Sequence, residues 1–201
     1  MRLTASNLAC RRGERRLFSG LSFTVAAGDA VLLTGPNGAG KSSLLRLIAG
    51  LLPAEDGTIS LDGGDEDKSL GEQAHYIAHA DATKASLTAE ENIAFWAAYY
   101  GGDASPREAL EAVRLDHVAD IPAGLLSAGQ KRRLALARLF VAKRPIWLLD
   151  EPSVSLDAQA RDELTTVMRG HVESGGLLIA ATHVSLGLDA VQTLDLGDAA
   201  R

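Results

Sequence analysis

The sequence is poor in cysteine, in positive charge and in long apolar runs, and each shortage excludes something. One cysteine, Cys10, in 201 residues permits neither an internal disulfide nor a cysteine-built zinc cage, and it fits a reducing compartment. Lys and Arg total 20 against 26 Asp and Glu, leaving a formal charge of -6. That balance is wrong for a surface built to hold nucleic acid phosphates, so no nucleic acid partner is expected. No apolar run approaches the roughly 20 residues that cross a bilayer; the richest, Leu44 to Leu52, contains Arg46. Met1-Arg2-Leu3-Thr4-Ala5-Ser6 lacks the apolar segment of a secretory signal, which predicts a cytoplasmic chain that would need a partner for any membrane role. What is present is globular: hydrophobic residues make up 46% and charged residues 23%, near the average for folded domains, and the length suits one domain with or without a small lobe.

Periodicity organises the chain as α/β. Leu21, Phe23 and Val25 alternate with Ser22 and Thr24, as in a strand with one buried face. Ala30-Val31-Leu32-Leu33-Thr34, Ile146-Trp147-Leu148-Leu149 and Leu177-Leu178-Ile179-Ala180-Ala181 are almost continuously apolar, as strands covered on both faces of a parallel sheet must be. From Lys41, the residues Leu44, Leu45, Ile48, Leu51 and Leu52 share a helical stripe that Pro53 is predicted to close. Between Leu87 and Val141 no buried strand is apparent. Thr88 and Glu91 have capping-box spacing before Ile93, Phe95, Trp96 and Tyr99, which predicts a helix, and Gly101 to Pro106 marks a break. Four of the nine aromatic residues fall within positions 95–100, so this region has its own small core or docks something. Asp62 to Asp67 lacks calcium-loop spacing and reads as a solvated acidic turn.

The strongest chemical signal is Gly35-Pro36-Asn37-Gly38-Ala39-Gly40-Lys41-Ser42, which fits G-x-x-x-x-G-K-[ST]. A chance match in a chain this long arises roughly one time in a hundred, and the setting, between a buried strand and an amphipathic helix, makes chance rarer still. Glycines let the main chain approach a polyphosphate, and the amides of the loop and helix N-terminus surround it. Lys41 would neutralise β- and γ-phosphate charge, the Ser42 hydroxyl would ligate Mg²⁺, and Ser43 adjoins the same phosphates. Asp150-Glu151 follows a second buried strand. There Asp150 would hold the Mg²⁺ shell while Glu151 polarises the attacking water.

Leu126-Ser127-Ala128-Gly129-Gln130, leading into Lys131-Arg132-Arg133-Leu134, resembles the signature segment of the ATP-binding cassette (ABC) family, with Ala128 where glycine is commoner. Ser127 and Gln130 have capping-box spacing, which leaves a helix N-terminus able to receive an anion. Ser155-Leu156-Asp157 is similar to the family's D-loop, and His183, after Thr182, to its switch histidine, which contacts γ-phosphate. The resemblance runs from about Leu3 to Leu196. It implies a P-loop NTPase core with a parallel sheet, an antiparallel β edge and a helical lobe at about 86–143, within one domain spanning 1–201. It also implies ATP as substrate with Mg²⁺, and a homodimer in the ATP-bound state in which Ser127, Gly129 and Gln130 of one copy complete the site of the other.

Two departures stand out. The aromatic residue that stacks on adenine in the family would fall near Arg11-Arg12-Gly13, where the chain offers Arg12; a guanidinium stacks on a base, and an exposed basic turn is the alternative. The glutamine that precedes the helical lobe is replaced by His79, a candidate for the metal or its water, although oxygen ligands suit Mg²⁺ better. Zinc held by His75 and His79 lacks a third ligand. His79, Leu87-Thr88-Ala89-Glu90-Glu91-Asn92 and Leu17-Phe18-Ser19-Gly20-Leu21-Ser22-Phe23 resemble one subgroup, the ATP-binding subunits of the haem-exporter-type complex of bacterial cytochrome c maturation. That resemblance implies an ATPase on the cytoplasmic face of the inner membrane, working with integral-membrane subunits, and the groove between lobe and core near His79 and residues 95–100 is a candidate docking site for a cytoplasmic helix of such a partner. An ATPase for another exporter of drug, lipid or ion shares all these motifs. A non-transport ABC ATPase is a third reading, disfavoured because such proteins usually carry coiled-coil insertions or two fused cassettes.

Overall fold

A computed structural model describes residues 1–188 and 191–197, so the last residues of the expected 1–201 domain lie outside it. In chain order the elements are β1 (Arg2–Arg12), β2 (Arg15–Ala26), β3 (Ala30–Thr34), α1 (Lys41–Ile48), β4 (Asp56–Asp62), β5 (Ala74–Ile77), α2 (Ala89–Tyr100), α3 (Pro106–Glu111), α4 (Ala128–Ala137), β6 (Ile146–Asp150), α5 (Ala158–Glu173), β7 (Leu177–Ala181) and β8 (Val191–Asp195), with one-turn helices between some of them. Five strands form a parallel sheet in the order β5-β6-β7-β3-β8, and an antiparallel sheet runs β2-β1-β4.

Every residue of β6 and β7 is buried, because the parallel sheet has a cover on each face. Side chains alternate across a strand. Ile146 and Leu148 therefore enter a core shared with α1 and the antiparallel sheet, including Leu3, Phe18 and Leu44. Trp147 and Leu149 enter the opposite core, shared with Leu164 and Met168 of α5, Ile93 of α2 and Leu134 of α4. Between β5 and β6 the regular elements are helices joined by irregular chain, apart from an isolated bridge joining Thr88 to Pro122.

Local chemistry sets the element ends. Thr88 Oγ1 accepts from the Glu91 amide while the Glu91 carboxylate accepts from the Thr88 amide, so α2 starts with the expected capping box. Left-handed Gly101 stops it, where a Cβ would be strained. The expected α1 is too long: the helix ends at Ile48, left-handed Gly50 turns the chain before Pro53, and Leu51 is exposed. Its apolar character does not reflect burial on the helical stripe.

Candidate active site

The parallel register brings three strand ends to one edge. Leu33 pairs with Ala181, and Ala181 with Asp150, so the segments that follow β3, β6 and β7 emerge side by side. Ligand sites in open parallel sheets lie outside such carboxyl ends. After β3, Gly35, Gly38 and Gly40 have φ of 124°, 81° and 107°, values that a side chain would strain. A Cβ on Gly40 would lie 3.0 Å from Phe18 Cδ1, and one on Gly35 would lie 3.2 Å from Asp195 Oδ1. At Gly35 and Gly40 the neighbours leave little room for a side chain. Pro36, Asn37 and Gly38 are exposed at its crest, whereas Ala39, Gly40, Lys41 and Ser43 are buried and Ser42 is half-buried.

Helix α1 begins without a side-chain cap and without an acid in its first turn, unlike the capping boxes of α2 and α4. Its first amides remain free for an anion, and the helix dipole favours one there. Lys41 Nζ donates to Gly35 O at 2.7 Å and Pro36 O at 3.3 Å, which folds the ammonium back under the loop. His183, after β7, places Nε2 3.5 Å from Lys41 Nζ and 3.6 Å from Glu151 Oε1. Glu151 has φ of 48°, and its amide donates to Ala181 O at 2.7 Å. A non-glycine residue held there costs about 1–2 kcal/mol. The backbone leaves the strand direction at the acid pair.

Asp150 is 3% exposed, and its Oδ2 is buried with no hydrogen-bond partner among the described residues. A buried carboxylate oxygen without a donor is costly unless a cation or its water completes it, so the donor set fits a hard oxygen-seeking ion such as Mg²⁺. His79 is exposed, two residues beyond Ile77, which pairs with Leu149; the register carries it level with Glu151. His75 Nε2 donates to Ala142 O at 2.8 Å inside the core, and no cluster of three potential metal-binding His, Cys, Asp or Glu side chains exists among the described residues.

The structure brings together Lys41, Glu151 and His183, but other expected residues stand apart. Among the described residues no hydrogen bond or ion pair joins Ser127, Gly129 or Gln130 to residues 35–43. Those three open α4 with a capping box: Ser127 Oγ accepts from the Gln130 amide and Gln130 Oε1 from the Ser127 amide. A Cβ on Gly129 would lie 3.0 Å from Ser155 O, which sets this end beside the segment after Glu151. Arg12 is exposed at the β1–β2 hairpin, paired in register with Arg15. Sequence reasoning missed Arg15, whose Nη1 lies 3.7 Å from the Cβ that Gly38 would carry. Hairpin pairing opposite Arg12 is the signal that points to it.

A glycine-rich loop opening a helix at one strand end, with a buried acid at another, defines a P-loop nucleotide-binding protein. The family model described as ABC transporter matches residues 18–154. Over 201 residues the chain is 54% identical to the cytochrome c biogenesis ATP-binding export protein CcmA of Nitrobacter winogradskyi, covering 100% of both. Among solved structures, an ATP-binding subunit of an ABC transporter superposes with a TM-score of 0.84 at 26% identity, covering 98% of this chain and 87% of that one. A dimeric post-hydrolysis ATP-binding cassette bound to ADP and Pi gives 0.80 at 23% identity, covering 97% and 95%. The chain belongs to the ABC transporter family of ATPases, within the group of cytochrome c biogenesis ATP-binding export proteins. No helix among the described residues is long and apolar enough to cross a membrane.

Proposed function

We propose that the chain is the ATP-hydrolysing subunit of a haem-exporter-type membrane complex of cytochrome c maturation, peripheral on the cytoplasmic face of the bacterial inner membrane. The observation that carries the ATPase reading is the convergence of Lys41, His183 and Glu151 at one sheet edge. The amides of residues 35–43 and Lys41 hold the β- and γ-phosphates, and Arg12 stacks on the base. Ser42 and Asp150 would hold Mg²⁺, with His79 a further candidate for the metal or its water, and the ion would neutralise charge on the phosphates. Glu151 takes the proton of the attacking water, and His183 contacts the γ-phosphate.

Among the described residues, Ser127 and the start of α4 make no hydrogen bond to their own loop. They serve the site of a second copy, which makes the ATP-bound form a head-to-tail homodimer. The solved dimeric cassette supports the arrangement at the level of the fold. A groove of about 1070 Å³, lined by Leu51, Tyr76, Trp96, Tyr99, Arg138 and Arg144, receives a cytoplasmic helix of the membrane subunit. Arg138 lies 3.8 Å over Trp96 and Arg144 4.2 Å over Tyr100, so aromatic faces and cations alternate along it.

Purification of the tagged chain from detergent-solubilised membranes tests the assignment. Integral-membrane subunits should co-purify, and deletion should block covalent haem attachment to c-type cytochromes. Intact cytochrome maturation in the deletion strain would move the chain to another exporter.

A further inference from the structure

Arg132 lies in a basic run, Lys131-Arg132-Arg133, whose other two members are half-buried, and its own side chain is only 3% exposed. A guanidinium carries five N–H donors and no acceptor. All five are engaged. Nε donates to Pro152 O at 3.1 Å; Nη1 donates to Ala78 O at 2.8 Å and Asp81 Oδ1 at 3.0 Å; Nη2 donates to Asp150 O at 2.9 Å and Glu151 O at 2.8 Å.

Burying a guanidinium is a poor way to stabilise a helix contact, because an apolar residue of similar volume fills the space without the desolvation cost. The placement is explained by what the fork grips. Four of the five acceptors are main-chain carbonyls. Three belong to consecutive residues 150–152, where the chain leaves β6, and the fourth, Ala78, precedes His79. At Glu151 the backbone is left-handed, a conformation that persists only when its surroundings enforce it. The Glu151 amide is bound to Ala181 O and its carbonyl to Arg132, so both flanking peptide groups are fixed. Fixing them aims the carboxylate at His183, 3.6 Å away.

We infer that Arg132 is a positioning residue for Glu151, and that it locks the acid's orientation to the position of α4. It rests on the reading of Glu151 as general base. Because Ser127 heads the same helix, displacement of α4 withdraws the carbonyl anchor of Glu151 at the moment it withdraws the amides offered to the partner's nucleotide. Hydrolysis then requires α4 to be seated, whereas nucleotide binding at the phosphate loop does not. Lysine cannot substitute, since an ammonium has no planar fork to span three carbonyls and the Asp81–Ala78 pair.

The test compares wild type, Arg132→Lys, Arg132→Gln and Arg132→Gly in the full chain, reading ATP affinity by calorimetry and kcat by phosphate release. The expected result is a kcat at least 30-fold lower in each folded variant, with ATP affinity within about threefold of wild type. Added methylguanidinium should raise the kcat of Arg132→Gly several-fold and leave Glu151→Gln unchanged. A folded Arg132→Lys or Arg132→Gln with kcat within threefold of wild type overturns the inference. Parallel loss of affinity, kcat and melting temperature without methylguanidinium rescue also overturns it, by reducing Arg132 to a structural role. The underlying reading fails separately, if Glu151→Gln itself turns over ATP at the wild-type rate.

Discussion

Lys41 Nζ and His183 Nε2 lie 3.5 Å apart although 142 positions separate them in the chain. Parallel pairing of β3 with β7 makes the meeting possible, since Leu33 and Ala181 are partners and both chains continue past the sheet edge. The same imidazole nitrogen is 3.6 Å from Glu151 Oε1. In one neutral tautomer Nε2 accepts from the ammonium; with a proton on Nε2 it donates towards the carboxylate. His183 thus stands between Lys41, the proposed phosphate-binding cation, and Glu151, the proposed base.

Replacement of His183 by alanine should therefore separate binding from turnover. The expected outcome is a fall in ATP hydrolysis of about 100-fold, the scale of a lost proton-handling or charge-stabilising group, with ATP affinity within about threefold. Steady-state phosphate release and calorimetric titration check it, and unchanged turnover would remove His183 from the reaction.

Arg12 and Arg15 should be distinguishable by nucleotide. Arg15 reaches over Gly38, so Arg15→Gln should weaken ATP and ADP about 3–10-fold, the scale of a partly exposed charge-assisted contact, with a diminished effect at high salt. Arg12→Ala should weaken ATP while narrowing its advantage over triphosphates with other bases. Fluorescence competition with ATP, GTP and inorganic triphosphate reads both. Equal losses for triphosphate and ATP in Arg12→Ala would show that Arg12 does not touch the base.

His75 gives the fold a pH dependence of its own. Burial, first, and then the charges of Arg144, Arg138 and nearby His171 hold its pKa down to about 3, against the hydrogen bond to Ala142; an unfolded histidine titrates near pH ~6.5. Below ~6.5 the unfolded chain takes up a proton that the folded one refuses until about 3. Stability from this residue is therefore constant above ~6.5 and falls with pH beneath it, by up to about 1.4 kcal/mol per unit. Urea unfolding at pH 7 and pH 5 should show His75→Gln losing about 2 kcal/mol less than wild type. Parallel losses would place the acid sensitivity elsewhere.

Much of the fold is legible because β3, β6 and β7 are apolar on both faces, and because the Thr88–Glu91 spacing announces the start of α2. Other elements are not. In β5 the polar His75 interrupts the run, and the strand tolerates it only because the imidazole finds Ala142 O. Edge strand β8 exposes Gln192 and Thr193 and carries no clear alternation. The phosphate loop and acid pair announce themselves through local chemistry, G-x-x-x-x-G-K-S and apolar-Asp-Glu. Arg132 does not, because its partners are backbone carbonyls and Asp81, 18 to 54 positions away, and a carbonyl leaves no mark in the sequence. Arg15 is hidden for a similar reason: its nearness to Gly38 comes from the fold of the hairpin, not from a local pattern.

The loop from Gly35 to Ser42, with Lys41 beneath it, is proposed to grip the phosphates of ATP. Calorimetric titration of ATP into the full chain, wild type beside Lys41→Ala, measures this directly. The expected result is saturable binding of one nucleotide per chain in wild type and affinity at least 30-fold weaker in the variant, with the melting temperature of the two alike. Equal affinity in a folded Lys41→Ala would contradict that role for the loop.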